Sequence, residues 1–598
     1  MRVTAFLTIL LTLAGCATTQ PGTTQPSAVP TVDANQRFDK LAEDYYEEVL
    51  AQNPVAATSI GDNRYNDRYT ASFGEAQRAA SLALSRKYQD ALRGIDPSRL
   101  DASHRLSHSI LQRNLANNIE GQRYPSHLVP LDQFRNFTAQ FAQMGSGTGL
   151  HPFKTVKDYD DFLSRVRGFE EAVAIAIANM RKGSGQGLVA PRALVEKVLP
   201  QISAHVVDDP KTSLFYGPIR NLPATFSDAD RARLTAAYEA AIRERLVPAY
   251  KRLHDFVRDE YLPKARATAG LGALPGGRDW YDYLVRTTTT TNLTADEIHR
   301  IGLAEVTRIH GEMEKVKNET GFKGDLKAFF SYVGNDPAFH FASKDAILAA
   351  YREAKTRIDA TTSRIFDVRP KADYEIRPVE AFRERSAAGG SYQAATPDGT
   401  RPGIFYLNTY DLPSRHTWAM ESLLLHEGSP GHHFQISVQR ELESLPRFRR
   451  FGGYTAYSEG WGLYAESLGK ELGVYSDPYQ YYGALAGELW RAIRLVVDTG
   501  IHSRGWTREQ AIDYALANSS QSPVTVTAEV ERFMAIPSQA LAYKVGQMKI
   551  TELRRRAEQA LGPKFELKAF HRALLEDGAL PLDVLEEKID RWIGERRG

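Results

Sequence analysis

Apolar residues recur at three- and four-residue spacing through long stretches of this chain. Clear examples are "FDKLAEDYYEEVLAQ" from Phe38, "EAQRAASLALSRKYQDALRGI" from Glu75 and "DYDDFLSRVRGFEEAVAIAIANMRKG" from Asp158. Each run stops at Pro or Gly, and "ADEIHRIGLAEVTRIHGEMEKV" from Ala295 and "KDAILAAYREAKTRI" from Lys344 continue the pattern. This spacing predicts amphipathic helices packed on helices, a mainly α architecture. The segment "RPGIFYLNTY", Arg401 to Tyr410, departs from it: rich in β-formers and preceded by the turn-like "PDGT", it reads with "GSYQAAT" as a small strand pair. The Gly/Pro-rich "GLGALPGGRD", Gly270 to Asp279, divides an N-terminal helical region (33–275) from a C-terminal one (276–598).

The N-terminus gives the cellular context. Residues 1–15 carry one early charge at Arg2 and an apolar run from Ala5 to Leu13, the pattern of a secretory signal peptide. The run closes in "LAGC", which resembles a bacterial lipobox, so Cys16 is expected to be lipidated. Residues 16–32, rich in Thr, Pro, Gln and Ser, read as a flexible tether. Cys16 is the single cysteine, so a core without disulfides must hold the exported body together. With 42% hydrophobic and 25% charged residues and a net charge of +2, neither disorder nor nucleic-acid binding is favoured. No later apolar run has the roughly 20 residues of a transmembrane helix, so the lipid is the expected membrane attachment.

The candidate chemistry sits in "LLLHEGSPGHHFQ", Leu423 to Gln435. On an unbroken helix, His426 and His433 would lie about 10 Å apart along the axis, and His432 about 9 Å from His426 in another direction. Zinc holds each histidine nitrogen at about 2 Å, so neither pair could share a metal on such a helix. Pro430 cannot donate to the carbonyl of residue 426, and Gly431 can adopt backbone angles closed to other residues. If this dipeptide bulges out, His432 takes the ligand position, and the pattern becomes His-Glu-x-x-(Pro-Gly)-His with Glu427 beside the metal as general base. His433 is a ligand alternative to His432, a hydrogen-bond donor behind the ligands, or a substrate contact. A third ligand is expected from Glu459 in "YTAYSEGWGLYAESLG", 33 residues after His426, with Glu466 as its competitor. Taken singly, each histidine could be a satisfied core residue and Glu459 an ordinary helix-start acid. A plain helical core, however, has no use for Pro430 after so apolar a run.

Four ordered motifs, "HEGSPGHHFQ", "SEGWGLYAE", "VVDTGIHSRGW" and "PSQALAYKVGQMKI", together resemble the bacterial domain-of-unknown-function 885 family. That family is grouped by resemblance with helical zinc metallopeptidases such as thimet oligopeptidase, carboxypeptidase Taq and angiotensin-converting enzyme, from which the Pro-Gly insertion departs. The resemblance implies a helical body around a deep cleft, with a small β-sheet edge beside the zinc helix. It also implies one Zn2+ and a peptide substrate, with Tyr543 donating to the oxyanion of a tetrahedral intermediate. Tyr543 could equally be a packed core tyrosine. The strand Gly403 to Tyr410 is expected to align the substrate backbone by strand addition, with Tyr406 and Asn408 as contacts. The resulting expectation is an exported, envelope-anchored zinc peptidase. A zinc amidase acting on non-peptide or cell-wall amides and a non-catalytic envelope lipoprotein are the alternatives. Arg494, Asp498, His502 and Lys544 stand out as polar residues in otherwise apolar helices and receive no role from the sequence.

Overall fold

The periodic segments form helices whose ends follow local capping chemistry. The computed structural model describes residues 33–380, 384, 387–396, 401–475 and 477–597. Cys16 with its tether, and the "PDGT" turn at 397–400, lie outside the described residues. The Val156–Gly185 helix opens with a capping box between Thr155 and Asp158, and Ala295–Glu319 with one between Thr294 and Glu297. In each, hydroxyl and carboxylate satisfy two of the N–H groups that a helix start leaves unpaired. Phe38, Leu111, Trp461 and Leu574 belong to one buried apolar cluster. The regions on either side of Gly270–Asp279 therefore share a core. A second cluster, around Phe141, Phe169 and Tyr250, lies within the N-terminal region. Among the described residues, no helix is long and apolar enough to cross a membrane.

The fold is mainly α with one small sheet, made of β1 (Tyr374–Pro378), β2 (Gly390–Gln393) and β3 (Gly403–Leu407). The strand order is β1-β3-β2, with β1 parallel and β2 antiparallel to β3. The β2–β3 pair is the one read from the sequence, whereas β1 was not, because "YEIRP" is short and carries two charges. This order overturns the expected docking of substrate on Gly403 to Tyr410. β3 is the central strand and both of its edges are already paired, so it cannot accept a further strand. Its near-complete burial follows from that position. Among the described residues, the outer strand on the Glu427 side is β2. A Cβ added at Gly390 would lie 3.2 Å from Glu427 Cγ.

Candidate metal centre

The Met420–Glu427 helix ends one residue after His426, and a new helix, His432–Glu441, begins at the next histidine of the motif. Between them the chain runs through a cis Ser429–Pro430 peptide bond and Gly431. Glycine is required at 431 because a Cβ there would lie 2.0 Å from the His426 carbonyl oxygen and 2.2 Å from that of Leu425. Trp461 Nε1 donates to the Pro430 carbonyl at 2.8 Å and ties the break to the Thr455–Ser467 helix. The break brings the His426 and His432 rings to 4.6 Å between centroids, nearly perpendicular at 81°.

Glu459 meets them from the Thr455–Ser467 helix. Its Oε2 is 3.5 Å from His426 Nε2 and 3.3 Å from His432 Nε2. One donor atom from each of the three side chains lies within 4.8 Å of the others. These contacts are close but poorly directed, for Glu459 Oε2 lacks an aligned hydrogen-bond donor although it is buried. His432 Nδ1 and Glu427 Oε2 are likewise buried without a partner. Buried polar atoms are normally satisfied, so the unpaired Glu459 Oε2 between the two imidazoles makes the three side chains a donor set suited to a cation. A second glycine contact sets the scale of this region. Gly460 and Gly546 face each other so closely that a Cβ on the first would lie 2.4 Å from the second's Cα. That contact lets the Ala542–Leu561 helix, which carries Tyr543, lie directly against the helix of Glu459.

The electrostatics follow from burial and close pairing. Burial raises the Glu427 carboxyl above its ordinary range, only partly opposed by the two imidazoles. Burial acts the same way on Glu459, but there His426 and His432 prevail and hold the carboxyl well below that range. For His426, 3% exposed, burial disfavours the charged ring, yet Glu459 and Glu466 hold its pKa up to about 9. Glu466 Oε1 is 2.8 Å from His426 Nδ1, the nitrogen that faces away from the cluster, and its Oε2 accepts from Ser422 Oγ at 2.5 Å. The sequence had set Glu466 against Glu459 as third ligand. The available signal was the seven-residue interval, which puts both acids on one helix face with Glu466 two turns further along.

The remaining candidates are placed as follows. The Tyr543 ring stacks against His426 at 6.2 Å and 20°, and its hydroxyl lies 3.4 Å from Arg532 Nη2 and 3.3 Å from Gln539 Nε2. His433 is not part of the cluster. It is 2% exposed, packs on Tyr374 at 4.5 Å between ring centroids and lies 3.1 Å from the Tyr392 hydroxyl through Nδ1. The expected ligand or substrate role is corrected to a brace between helix and sheet, because consecutive helical residues point about 100° apart. Burial lowers its pKa to about 4. Asn408, 1% exposed, also leaves the substrate role. It donates to the carbonyls of Glu384 and Ala387 and accepts from the Tyr410 N–H, which binds together the loop at the end of β3. Tyr406 is half-buried and lines a cavity of about 570 Å³ beside β2, together with Tyr392, Phe137 and Phe141. A second cavity, of about 660 Å³, is lined by Leu423, Ser422, Glu466 and Arg491.

A predominantly helical chain with a His-Glu-His cluster at a broken helix and a small sheet against it is the class of protein defined here. The chain belongs to the family described as "bacterial protein of unknown function (DUF885)", whose model matches residues 54–589. It is similar to a crystal structure described as a putative lipoprotein from Colwellia psychrerythraea, at 27% identity and TM-score 0.87 over 94% of this chain and 100% of that one. It also resembles in fold a putative lipoprotein of unknown function from Shewanella oneidensis, at 18% identity and TM-score 0.69 over 92% and 99% of the two chains. No curated protein matches the chain.

Proposed function

We propose that this chain is an exported, lipid-anchored zinc-dependent peptidase. The observation that carries the reading is the convergence of one donor atom each from His426, His432 and Glu459 within 4.8 Å of one another, with Glu427, whose Oε2 is buried without a partner, close enough for both imidazoles to act on its charge. Two imidazoles and one carboxylate are the protein ligands of a catalytic zinc site that keeps one position open. When bound there, zinc supplies a Lewis acid that lowers the pKa of water to about 7 and polarises a carbonyl. Glu427 accepts the proton of the attacking water and delivers it to the leaving amine, a role suited to a carboxyl whose pKa burial has raised. Glu466 fixes the His426 ring through Nδ1, leaving Nε2 free to ligate. The Tyr543 hydroxyl, facing the Arg532 and Gln539 donors, keeps its own proton to donate to the oxyanion. The outer edge of β2, starting at Gly390 against Glu427, aligns an extended substrate backbone in place of β3.

The envelope location rests on "LAGC" and on the description of both similar structures as putative lipoproteins. The test combines zinc analysis of the purified mature protein with a broad peptide library read by mass spectrometry. About one zinc per chain and cleavage of a subset of peptides are expected. A zinc-loaded protein that cuts no peptide overturns the peptidase reading and favours the amidase one, and a protein that takes up no zinc overturns both. Cys16→Ser should release the protein from the membrane fraction.

A further inference from the structure

Three guanidinium groups surround Tyr543. Arg494 Cζ lies 4.6 Å and Arg491 Cζ 5.7 Å from the Tyr543 ring centroid, and Arg532 reaches its hydroxyl. Arg494 and Arg532 share one carboxylate, Glu529, at 2.6 and 3.3 Å. Arg491 is less well provided. Its Nη1 donates to the Gly487 carbonyl of its own helix at 3.2 Å, and its Nε, like that of Arg494, is buried without a partner. Its Nη2 is 3.4 Å from Glu466 Oε1, but both Glu466 oxygens are already engaged, by His426 and by Ser422. Arg491 is also the one of the three that lines the 660 Å³ cavity, where its side chain remains 16% exposed. An under-paired guanidinium at the wall of a cavity is a ready acceptor of a carboxylate in a charge-assisted, two-pronged contact.

The position selects which carboxylate. Arg491 touches Glu466, and Glu466 touches the same His426 ring whose other nitrogen faces the cluster, so two side chains, Glu466 and His426, separate the guanidinium from the reacting centre. In a peptide, the terminal carboxylate carbon follows the last peptide carbonyl carbon by three bonds, roughly 4 Å at most. We propose that Arg491 anchors the free α-carboxylate of the substrate, so that the chain acts as a carboxypeptidase cutting within one or two residues of the C-terminus. This rests on the peptidase reading above. In the reaction, water adds its hydroxyl to the acyl carbon and the C–N bond breaks. The proton taken up by Glu427 goes to the departing amine, which leaves as an amino acid or dipeptide.

The experiment uses the zinc-loaded mature protein and three versions of one peptide found to be cleaved: the free acid, the C-terminal amide, and an amide with Glu at the penultimate position. The free acid should lose its C-terminal residue or dipeptide, and the plain amide should have a kcat/KM roughly 10- to 100-fold lower, the effect of one lost charge-assisted contact. Arg491→Gln should bring the free acid down to the level of the amide, chiefly through KM, with zinc content unchanged. Arg491→Lys should recover part of the loss, and the wild-type comparison stands even if a variant fails to fold. Equal cleavage of acid and plain amide overturns the proposal and leaves the peptidase reading intact. Cleavage of the Glu-containing amide as fast as the free acid overturns the terminal carboxylate in favour of an acidic side chain. Failure to cut any peptide removes the peptidase reading and this proposal with it.

Discussion

Glu466 Oε1 lies 2.8 Å from Nδ1 of His426, while Glu459, two helical turns earlier on the same helix, faces the other nitrogen of the same ring. One helix thus presents a carboxylate to each side of a single imidazole. This division predicts graded losses. His426→Ala and Glu459→Ala should each largely abolish zinc binding, whereas Glu466→Gln should weaken it by about 10- to 100-fold, the usual cost of losing a group that orients a ligand. Titration with a competing chelator checks this, and equal losses in all three variants would contradict it.

Glu427→Gln preserves shape and most hydrogen bonding but removes the base. Zinc content and Tm should remain near wild type, while hydrolysis of a cleavable peptide falls by roughly 10² to 10⁴-fold. Nearly full turnover in this variant would mean that another group takes the proton.

Gly431→Ala would place a methyl group about 2 Å from two carbonyl oxygens, those of Leu425 and His426. The chain must shift to admit it, and the His426–His432 separation shifts with it. The expected result is a loss of stability of roughly 1 to 3 kcal/mol, the cost of overpacking a well-filled site, together with weakened zinc uptake. Denaturant unfolding and zinc analysis measure the two effects separately.

Asp498 provides a pH test away from the cluster. Burial pushes its carboxyl up to about 7, against the opposing hydrogen bonds from Tyr281 Oη at 2.5 Å and the Ser538 N–H. Between the ordinary carboxylate pKa near 4 and about 7, the folded chain holds a proton that the unfolded chain has released. Stability therefore declines as pH rises through that window, by roughly 4 kcal/mol from this group. Asp498→Asn should lack that slope, so the stability difference between the two proteins should change with pH across the window. Parallel stability curves from pH 4 to 8 would exclude the effect.

Local chain chemistry determined much of what is seen. Helix starts such as Thr155 and Thr294 follow from a side chain reaching an N–H three residues on. The helix break follows from the missing N–H of Pro430 and the two carbonyls that leave no room for a side chain at Gly431. The strand pair β2–β3 was likewise legible from its β-forming residues. Tertiary packing alone decided the rest. Whether β3 was an edge depended on a third strand, β1, which pairs with it from 25 or more residues upstream. The division of labour between Glu459 and Glu466, which a sequence ranks only as competitors, depended on where their helix crosses the Met420–Glu427 helix. His433 turned to the sheet and Asn408 to its own loop for the same reason. Residue spacing sets the direction of a side chain around its own helix or strand, but what it meets there is set by the placement of segments far away in the chain. Arg491 is the clearest case: its sequence neighbourhood is an ordinary apolar helix, and only the approach of Glu466 and Tyr543 gives its charge a place beside the candidate metal centre.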